Sequence, residues 1–391
     1  MLFLLVFVNI SVAHELTGVV AVEQRVFTKE PLLDEQKEHN YSLAMQLEYY
    51  YQFQYQNRFS FIFVPFFRWD SADDERSHFD FREMNFLYGG ESWDLRLGIG
   101  KVFWGATEFV HLVDIVNQTD LVESIDGEEK LGQPMVHLFL PGQWGGVDLF
   151  VLPSFRERTF PGSRGRLRSQ LVVDTDHPVF ESSEQGNHVD FALRYSHTIG
   201  DVDFGLSYFD GTDRQPLLLP GLDGQGLSVL TPYYRQIQQT GFDLQWILGE
   251  WLLKMESIYR HYDGEHDHYW AAVGGFEYTV GSLLDSGMDL GLIGEYVHDA
   301  RGDEALTPFE DDIILGLRLA VNDAAGSEVL AGVIVDMDSP TRLVSLEASR
   351  RFGDRMRATV EAGFFLNPPK GDLFYSLRED DFLRVDVAFY F

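Results

Sequence analysis

The sequence lacks cysteine, has no long apolar run and contains few basic residues, and each absence narrows the classes of protein that it fits. No cysteine occurs among the 391 residues, which suits a chain that crosses an oxidising periplasm unfolded. No apolar run reaches the length of about 18 residues that a membrane-spanning helix needs, so helical spans are excluded. Lysine and arginine number 30 against 62 aspartate and glutamate residues, which argues against nucleic-acid binding because that needs a basic surface.

The amino-terminal residues have the pattern of a secretory signal sequence. Residues 2–10 are apolar, and the segment 11–13 places small residues where a signal peptidase cuts. We therefore predict a signal peptide at 1–13 and a single mature domain at 14–391, because no Pro/Ser-rich linker or change of composition divides the remainder. The alternative is that residues 2–10 form a buried strand of a cytosolic protein.

Alternation of apolar and polar residues is the main structural signal in the rest of the chain. In the last segment, 381–391, every second residue counted back from Phe391 is apolar, whereas Asp386 and Arg384 lie between them. Such alternation predicts a strand with one face in an apolar medium and the other in water. The whole chain contains about 18 segments of this kind, or about 16 if residues 18–27 form a plug or arm. Their connections alternate between short turns and long polar segments, and Pro65 within one strand indicates a bulge.

These strands predict an all-β fold, a transmembrane antiparallel up-and-down β-barrel with long outer loops and short periplasmic turns. A closed barrel has no unpaired edge strand, as a membrane requires. The terminal strand ending in the aromatic Phe391 resembles the last strand of Gram-negative outer-membrane β-barrels of the porin type. The resemblance implies an outer-membrane location, contact with lipids and lipopolysaccharide, and recognition of the Phe391 strand by the barrel-assembly machinery. It also implies a homo-oligomer, since general porins are trimers.

Strand alternation also sorts the charged residues between the two faces. The predicted inward face carries charges of both signs: Glu48, Asp94, Arg96, Asp190, Arg194, Asp203, Asp243, Lys254, Glu256, Arg318, Glu347, Arg355, Arg357, Glu361, Arg384 and Asp386. Charges of this kind are costly in a dry core, so they predict a water-filled lumen. Most of the negative excess then lies in acidic loops such as 123–129.

The segment 100–120 is the most distinctive stretch of a long outer connection. After Trp104 and Gly105, apolar residues recur at helical spacing from 109 to 116, which predicts a short amphipathic helix. The Trp-Gly segment is similar to that of uncharacterised porin-like barrels, and porins fold their third outer loop into the barrel, where it narrows the pore. The resemblance implies these lumen-lining candidates: Lys101, Trp104, Glu108, His111, Asp114, Asn117 and Asp120. The alternative is a surface helix packed against the barrel rim.

Five arginines between 155 and 168 stand out in so acidic a chain. They are Arg156, Arg158, Arg164, Arg166 and Arg168. Guanidinium groups bind carboxylates and phosphates through paired hydrogen bonds. Three roles are open: ion pairs with acidic residues of the barrel's own loops, a basic wall facing an acidic loop across the pore as in general porins, or binding of lipopolysaccharide phosphates.

Motifs for catalysis or cofactor binding are missing. The sequence contains no Gly-x-Ser-x-Gly elbow, P-loop or His-Glu-x-x-His motif, so we predict neither an enzyme nor a cofactor. His261, His266 and His268, with Asp263 and Asp267, have the residue types of a zinc or copper site. A hairpin end without a distant fourth ligand does not predict a metal centre.

The sequence therefore predicts an outer-membrane channel of the porin type, through which small hydrophilic solutes diffuse passively and are filtered by a loop and its charges. Three alternatives stay open. One is a substrate-specific channel for an anionic solute or polysaccharide that uses the five arginines. The others are a transporter of hydrophobic compounds with a plug, and a non-conducting structural or enzymatic barrel.

Overall fold

The structure is a computed structural model that describes residues 13–53, 58–263 and 267–391. The predicted signal peptide up to residue 12, the predicted turn at Gln56-Asn57 and His266 lie outside these ranges. Ala13 is the first residue of the first strand. Within the described ranges, no helix is long and apolar enough to cross a membrane.

Strands make up most of the described chain and are numbered in chain order. They are β1 (Ala13–Phe27), β2 (His39–Gln52), β3 (Phe59–Asp70), β4 (His78–Gly89), β5 (Asp94–Gly100), β6 (Gln133–Gly142), β7 (Gly145–Leu152), β8 (Val179–Phe180), β9 (Asp190–Ile199), β10 (Val202–Thr212), β11 (Leu217–Leu222), β12 (Ser228–Tyr234), β13 (Gln236–Leu248), β14 (Trp251–Tyr262), β15 (His268–Val280), β16 (Asp289–Asp299), β17 (Asp311–Ala320), β18 (Glu328–Asp336), β19 (Arg342–Phe352), β20 (Met356–Leu366) and β21 (Phe382–Tyr390). Short 3-10 helices lie at Gln185–Asn187, Leu283–Asp285, Gly302–Glu304 and Leu373–Leu377.

A closed antiparallel sheet of 18 strands forms the barrel. Each barrel strand pairs with the barrel strands before and after it in the chain, and β1 closes the ring by pairing with both β2 and β21. The other strands, β8, β11 and β12, form a small separate sheet within the long connections. The predicted up-and-down barrel is confirmed, and residues 18–27 belong to barrel strand β1 rather than to a plug.

Side chains alternate between an apolar outer face and a charged inner face. In β14, for example, Met255 and Tyr259 are exposed on the outside, whereas Glu256 and Arg260 are buried inside. Exposed aromatic and aliphatic side chains recur on the outer face of other strands, including Phe67 and Trp69 of β3. An outer face of this kind suits hydrocarbon, and a closed ring leaves no backbone edge unpaired within it.

The connections differ in length between the two ends of the barrel. One end has short turns, such as those that join β6 to β7 and β9 to β10. The other end carries the long connections 101–132, 153–189 and 213–235. The start of β1 and the end of β21 both lie at the end with the short turns, which is the end that faces the periplasm in outer-membrane barrels.

A bulge between β3 and β4 directs one arginine into the interior. The register shifts between Val64 and Pro65, which leaves Arg82 on β4 without a partner on β3. The predicted bulge at Pro65 is thus confirmed, and proline suits it because its nitrogen has no hydrogen to donate to a strand ladder. Arg82 is buried, and its guanidinium lies 2.7 Å from Asp120 of the connection 101–132.

Closure at the short-turn end of the barrel depends on a close contact between Gly18 and Phe391. Their backbones exchange hydrogen bonds of 2.9 and 3.0 Å, and a Cβ at position 18 would lie 2.6 Å from the Phe391 ring. We expect Gly18→Val to displace this ring and lower the free energy of unfolding by about 1–3 kcal/mol, measured by urea unfolding in lipid. Val22→Ile, at an exposed position of β1, is the control and should leave the midpoint unchanged. Equal midpoints for the two variants would contradict the prediction.

Candidate functional site

The connection 101–132 leaves β5 and enters β6, yet it contacts the opposite wall of the barrel. Residues 106–113 meet lumen-facing side chains of β14, β16 and β17. None of these strands neighbours β5 or β6 in the sheet. The contacts therefore run across the interior of the barrel, between walls that are far apart in the ring.

Glu256 on β14 is the main acceptor for this connection. Its side chain is fully buried, and Oε1 accepts the backbone N–H groups of Ala106 and Thr107 at 2.7 and 3.1 Å. Oε1 also accepts the Thr107 hydroxyl at 2.6 Å, while Oε2 accepts the N–H of Val113 at 3.1 Å. The predicted candidate His111 places Nδ1 3.8 Å from Oε1. One carboxylate thus holds both ends of the segment 106–113, and hydrogen bonds to a charged acceptor are stronger than neutral ones.

A second carboxylate, Glu295 on β16, holds the tip of the same segment. It accepts the N–H groups of Glu108 and Phe109 at 2.6 and 3.2 Å. The side chain of Glu108 pairs with Lys254 at 3.2 Å and with Arg318, and these two cations lower the pKa of Glu108 against the opposing effect of burial. The predicted candidate Glu108 is therefore neutralised by cations of the wall.

The predicted amphipathic helix is wrong. Residues 101–120 form turns and extended chain, because the backbone N–H groups near 106–109 and 113 donate to Glu256 and Glu295 instead of to carbonyls of the preceding turn. The apolar residues at helical spacing are buried in different places. Val113 packs in the main core cluster, whereas Phe109 packs against the cluster of β15, β16 and β17.

Two further predicted candidates, Asn117 and Trp104, stabilise the connection near its start at the end of β5. The Asn117 amide donates to the carbonyls of Gly100 and Leu131 at 2.9 and 2.8 Å, which joins the start of the connection to its end. Trp104 is buried, and the guanidinium of Arg194 lies 5.6 Å from the centre of its ring. Both side chains therefore support the shape of the connection.

The acidic candidates Asp114 and Asp120 are ion-paired. Asp114 lies 3.2 Å from Lys130 within the same connection. Asp120 is fully buried and lies 2.7 Å from Arg82 on the near wall. The connection is thus tied to β4 as well as to β14 and β16.

The five predicted arginines lie in the long connection 153–189, where most of them pair with carboxylates. The pairs are Arg156 with Asp80 at 3.0 Å, Arg164 with Asp74 at 3.5 Å, Arg166 with Asp380 at 2.6 Å, and Arg168 with Glu35 at 3.3 Å. Arg158 donates to the amide oxygen of Gln118 at 3.2 Å. These contacts correspond to the first of the three roles considered, ion pairing within the barrel and its own connections.

A cavity of about 400 Å³, called the lumen cavity below, lies between residues 123–129 and the wall of β1–β4 and β19–β21. Its charged lining residues are Glu23, Arg68, Arg82, Lys101, Glu123, Asp126, Glu128, Glu129, Glu347, Arg357, Glu361, Arg384 and Asp386. Of the predicted candidates, only Lys101 belongs to this lining, and none of the five arginines at 156–168 does.

Sequence reasoning did not select most residues of the lumen cavity as candidates. It did assign Glu347, Arg357, Glu361, Arg384 and Asp386 to the inward face, and it recognised 123–129 as an acidic loop. The missing information was that this loop lies against those strands. An acidic run in the same connection as the Trp-Gly segment is the available signal, but the sequence pattern assigns it only to a loop and not to the lumen.

The closed barrel, its apolar exterior and its charged lumen, which the connection 101–132 crosses, define the class: the chain has the fold of an outer-membrane β-barrel. A scan against protein-family models and a search of curated proteins found no match. Similar solved structures include a triple mutant of the Rhodopseudomonas blastica porin, with 15% identity and a TM-score of 0.48 over 97% of this chain and 100% of that chain. Another is OmpT, an outer membrane protein of Vibrio cholerae in its trimer form, with 12% identity and a TM-score of 0.48 over 97% and 99%. The assignment rests on the strand pairing and the two faces of the barrel.

Glu256→Gln tests the anchoring of the connection. We expect the variant to loosen residues 106–113, because one carboxylate oxygen becomes an amide that faces backbone donors and leaves them unpaired. The expected loss of local stability is about 2–3 kcal/mol, seen as faster protease cleavage of the connection in the folded protein. Glu361→Gln on β20 is the matched control, since this carboxylate contacts Arg384 rather than the segment 106–113. If both variants are cleaved as slowly as the wild type, Glu256 does not anchor the connection.

Proposed function

We propose that the protein is a channel through which small hydrophilic solutes diffuse passively across the outer membrane. The observation that carries this proposal is the connection 101–132, which is bonded to the far wall by Glu256 and Glu295 and leaves the lumen cavity beside it. A charged lining keeps such a passage hydrated. Solutes would then be filtered by the width of the passage and by the charges along it.

The anchoring contacts support a constriction of constant width. Five backbone N–H groups in the segment 106–113 donate to the two wall carboxylates. On the near side, Asp120 pairs with Arg82, and Glu123 lies 2.7 Å from Arg68. Residues 124–129 would thus be held between Glu123 and Lys130, which pairs with Asp114 at 3.2 Å. A passive channel needs a path of this kind and no conformational cycle.

In this proposal the candidates of the connection have two kinds of role. Lys101 lines the passage directly. The other predicted candidates of the connection 101–132 support its shape: Trp104, Glu108, His111, Asp114, Asn117 and Asp120. Shape support is consistent with their burial and with their contacts to other residues of the connection or the wall.

We assign the five arginines to support of the outer connections. Arg166 joins the connection 153–189 to Asp380 beside β21, and Arg168 joins it to Glu35 between β1 and β2. Both arginines are buried, and a buried cation is stable only when it is paired. A channel specific for anions that uses these arginines has less support, because their charges are taken up by these pairs.

Two partners belong to the proposal as well. The barrel-assembly machinery would recognise β21 and the terminal Phe391, which is exposed at the periplasmic end of the barrel. Lipopolysaccharide would contact the outer connections. A homo-oligomer is expected from the resemblance to general porins and stays a prediction.

Channel activity and the position of the constriction can be tested together with one introduced thiol. The chain has no cysteine, so Glu128→Cys creates a single target for a bulky thiol reagent. We expect the purified variant to show stepwise conductance in a planar bilayer, and labelling to reduce that conductance by about half or more, because the lumen narrows there.

Glu304→Cys, at an exposed position of the short helix Gly302–Glu304, is the matched control and should conduct equally before and after labelling. Absence of conductance in the wild-type protein would overturn the channel. Conductance that labelling of Glu128→Cys does not change would overturn the proposed constriction.

A further inference from the structure

Most basic residues of the lumen cavity are neutralised by ion pairs. Arg68 lies 2.7 Å from Glu123 and 3.4 Å from Glu23. Arg82 pairs with Asp120 at 2.7 Å, and Arg384 pairs with Glu361. Lys101 is 3.8 Å from Glu129. These cations therefore contribute little net positive charge to the passage.

Four carboxylates of the same lining have no cation within ion-pair distance and are called the free carboxylates below. Asp126, Glu128, Glu347 and Asp386 line the cavity and form no ion pair with a cation in the described part of the chain. Arg357 is the corresponding free cation of the described lining, and it donates to the Ser349 hydroxyl at 2.7 Å. The lining of the lumen cavity therefore has four negatively charged groups and one positively charged group that are not compensated by an ion pair.

Glu128 is the carboxylate at the centre of this negative charge. It is exposed to the lumen, while enclosure within the barrel and the charge of Asp126 raise its pKa to about 6. Glu347 on the facing strand β19 and Glu108 of the connection raise the pKa of Glu128 further, whereas His111 lowers it. Because this pKa lies above the usual range, Glu128 is largely ionised above about pH 6 and largely neutral below it.

We propose that the four free carboxylates make the lumen cavity selective for small hydrophilic cations, and that Glu128 controls the strength of this selectivity by gaining or losing a proton. The inference rests on the channel function proposed above and names its class of solute. A water-filled passage with low-dielectric walls focuses the field of its fixed charges, so uncompensated carboxylates concentrate cations and exclude anions. Cation preference then declines as the pH falls through about 6.

Reversal potentials in a potassium chloride gradient measure this selectivity directly. We expect the wild-type channel to favour potassium over chloride at about pH 7.5 and to favour it less at about pH 5. Glu128→Gln removes one charge without changing the size of the side chain. This variant should lower the permeability ratio about threefold at the higher pH, where one nearby unit charge is lost, and it should abolish most of the pH dependence.

Two further variants make the test specific. Glu347→Gln should lower the ratio and also shift the pH step to lower pH, because Glu347 contributes to the raised pKa of Glu128. Glu304→Gln removes an exposed carboxylate of an outer connection and should change neither quantity, which separates the lumen cavity from the acidic surface.

The outcomes separate this inference from the channel function. A channel that conducts but favours chloride, or a Glu128→Gln variant that keeps both the wild-type ratio and its pH dependence, would overturn the inference and leave the channel standing. A protein that does not conduct would overturn the channel function, and the inference with it. Circular dichroism of the variants in lipid confirms that each retains its strands.

Discussion

Backbone hydrogen bonding is the constraint on which this structure depends, because hydrocarbon offers no water to satisfy an unpaired N–H or C=O. The 18-stranded ring meets it only when β1 pairs with β21. Closure fixes the direction of each strand and so assigns each side chain to lipid or to lumen. Antiparallel pairing around the ring also places successive connections at alternate ends of the barrel.

The same constraint acts on the irregular backbone inside the barrel. The connection 101–132 has no strand ladder over 106–113, so its donors need acceptors from the wall. Glu256 and Glu295 supply them as charged oxygens on two separate strands. A buried carboxylate is unfavourable without hydrogen-bond donors, and the backbone N–H groups of a buried loop are unfavourable without acceptors. In this arrangement each group supplies what the other lacks. The result is a segment that is hydrogen-bonded to the wall although it has no secondary structure of its own.

Local patterns in the sequence were sufficient for the fold and insufficient for the candidate site. Alternation identified the strands, and Pro65 identified a bulge, because both effects depend on neighbouring residues. The predicted helix failed because the acceptors for Ala106 and Thr107 lie about 150 positions away, at Glu256. Arg166 likewise finds its partner, Asp380, 214 positions along the chain. Contacts between residues so far apart in the chain produce no pattern in the sequence around either residue.

By itself, the sequence determined a closed transmembrane barrel with a charged interior, because side-chain alternation decides which face meets lipid. Only the tertiary structure decided which of the interior charges are compensated. Glu361 and Glu347 both alternate inward, yet Glu361 pairs with Arg384, whereas Glu347 faces the acidic residues of the connection. The physical reason is that an ion pair depends on which strands become neighbours and on where a connection lies across the lumen.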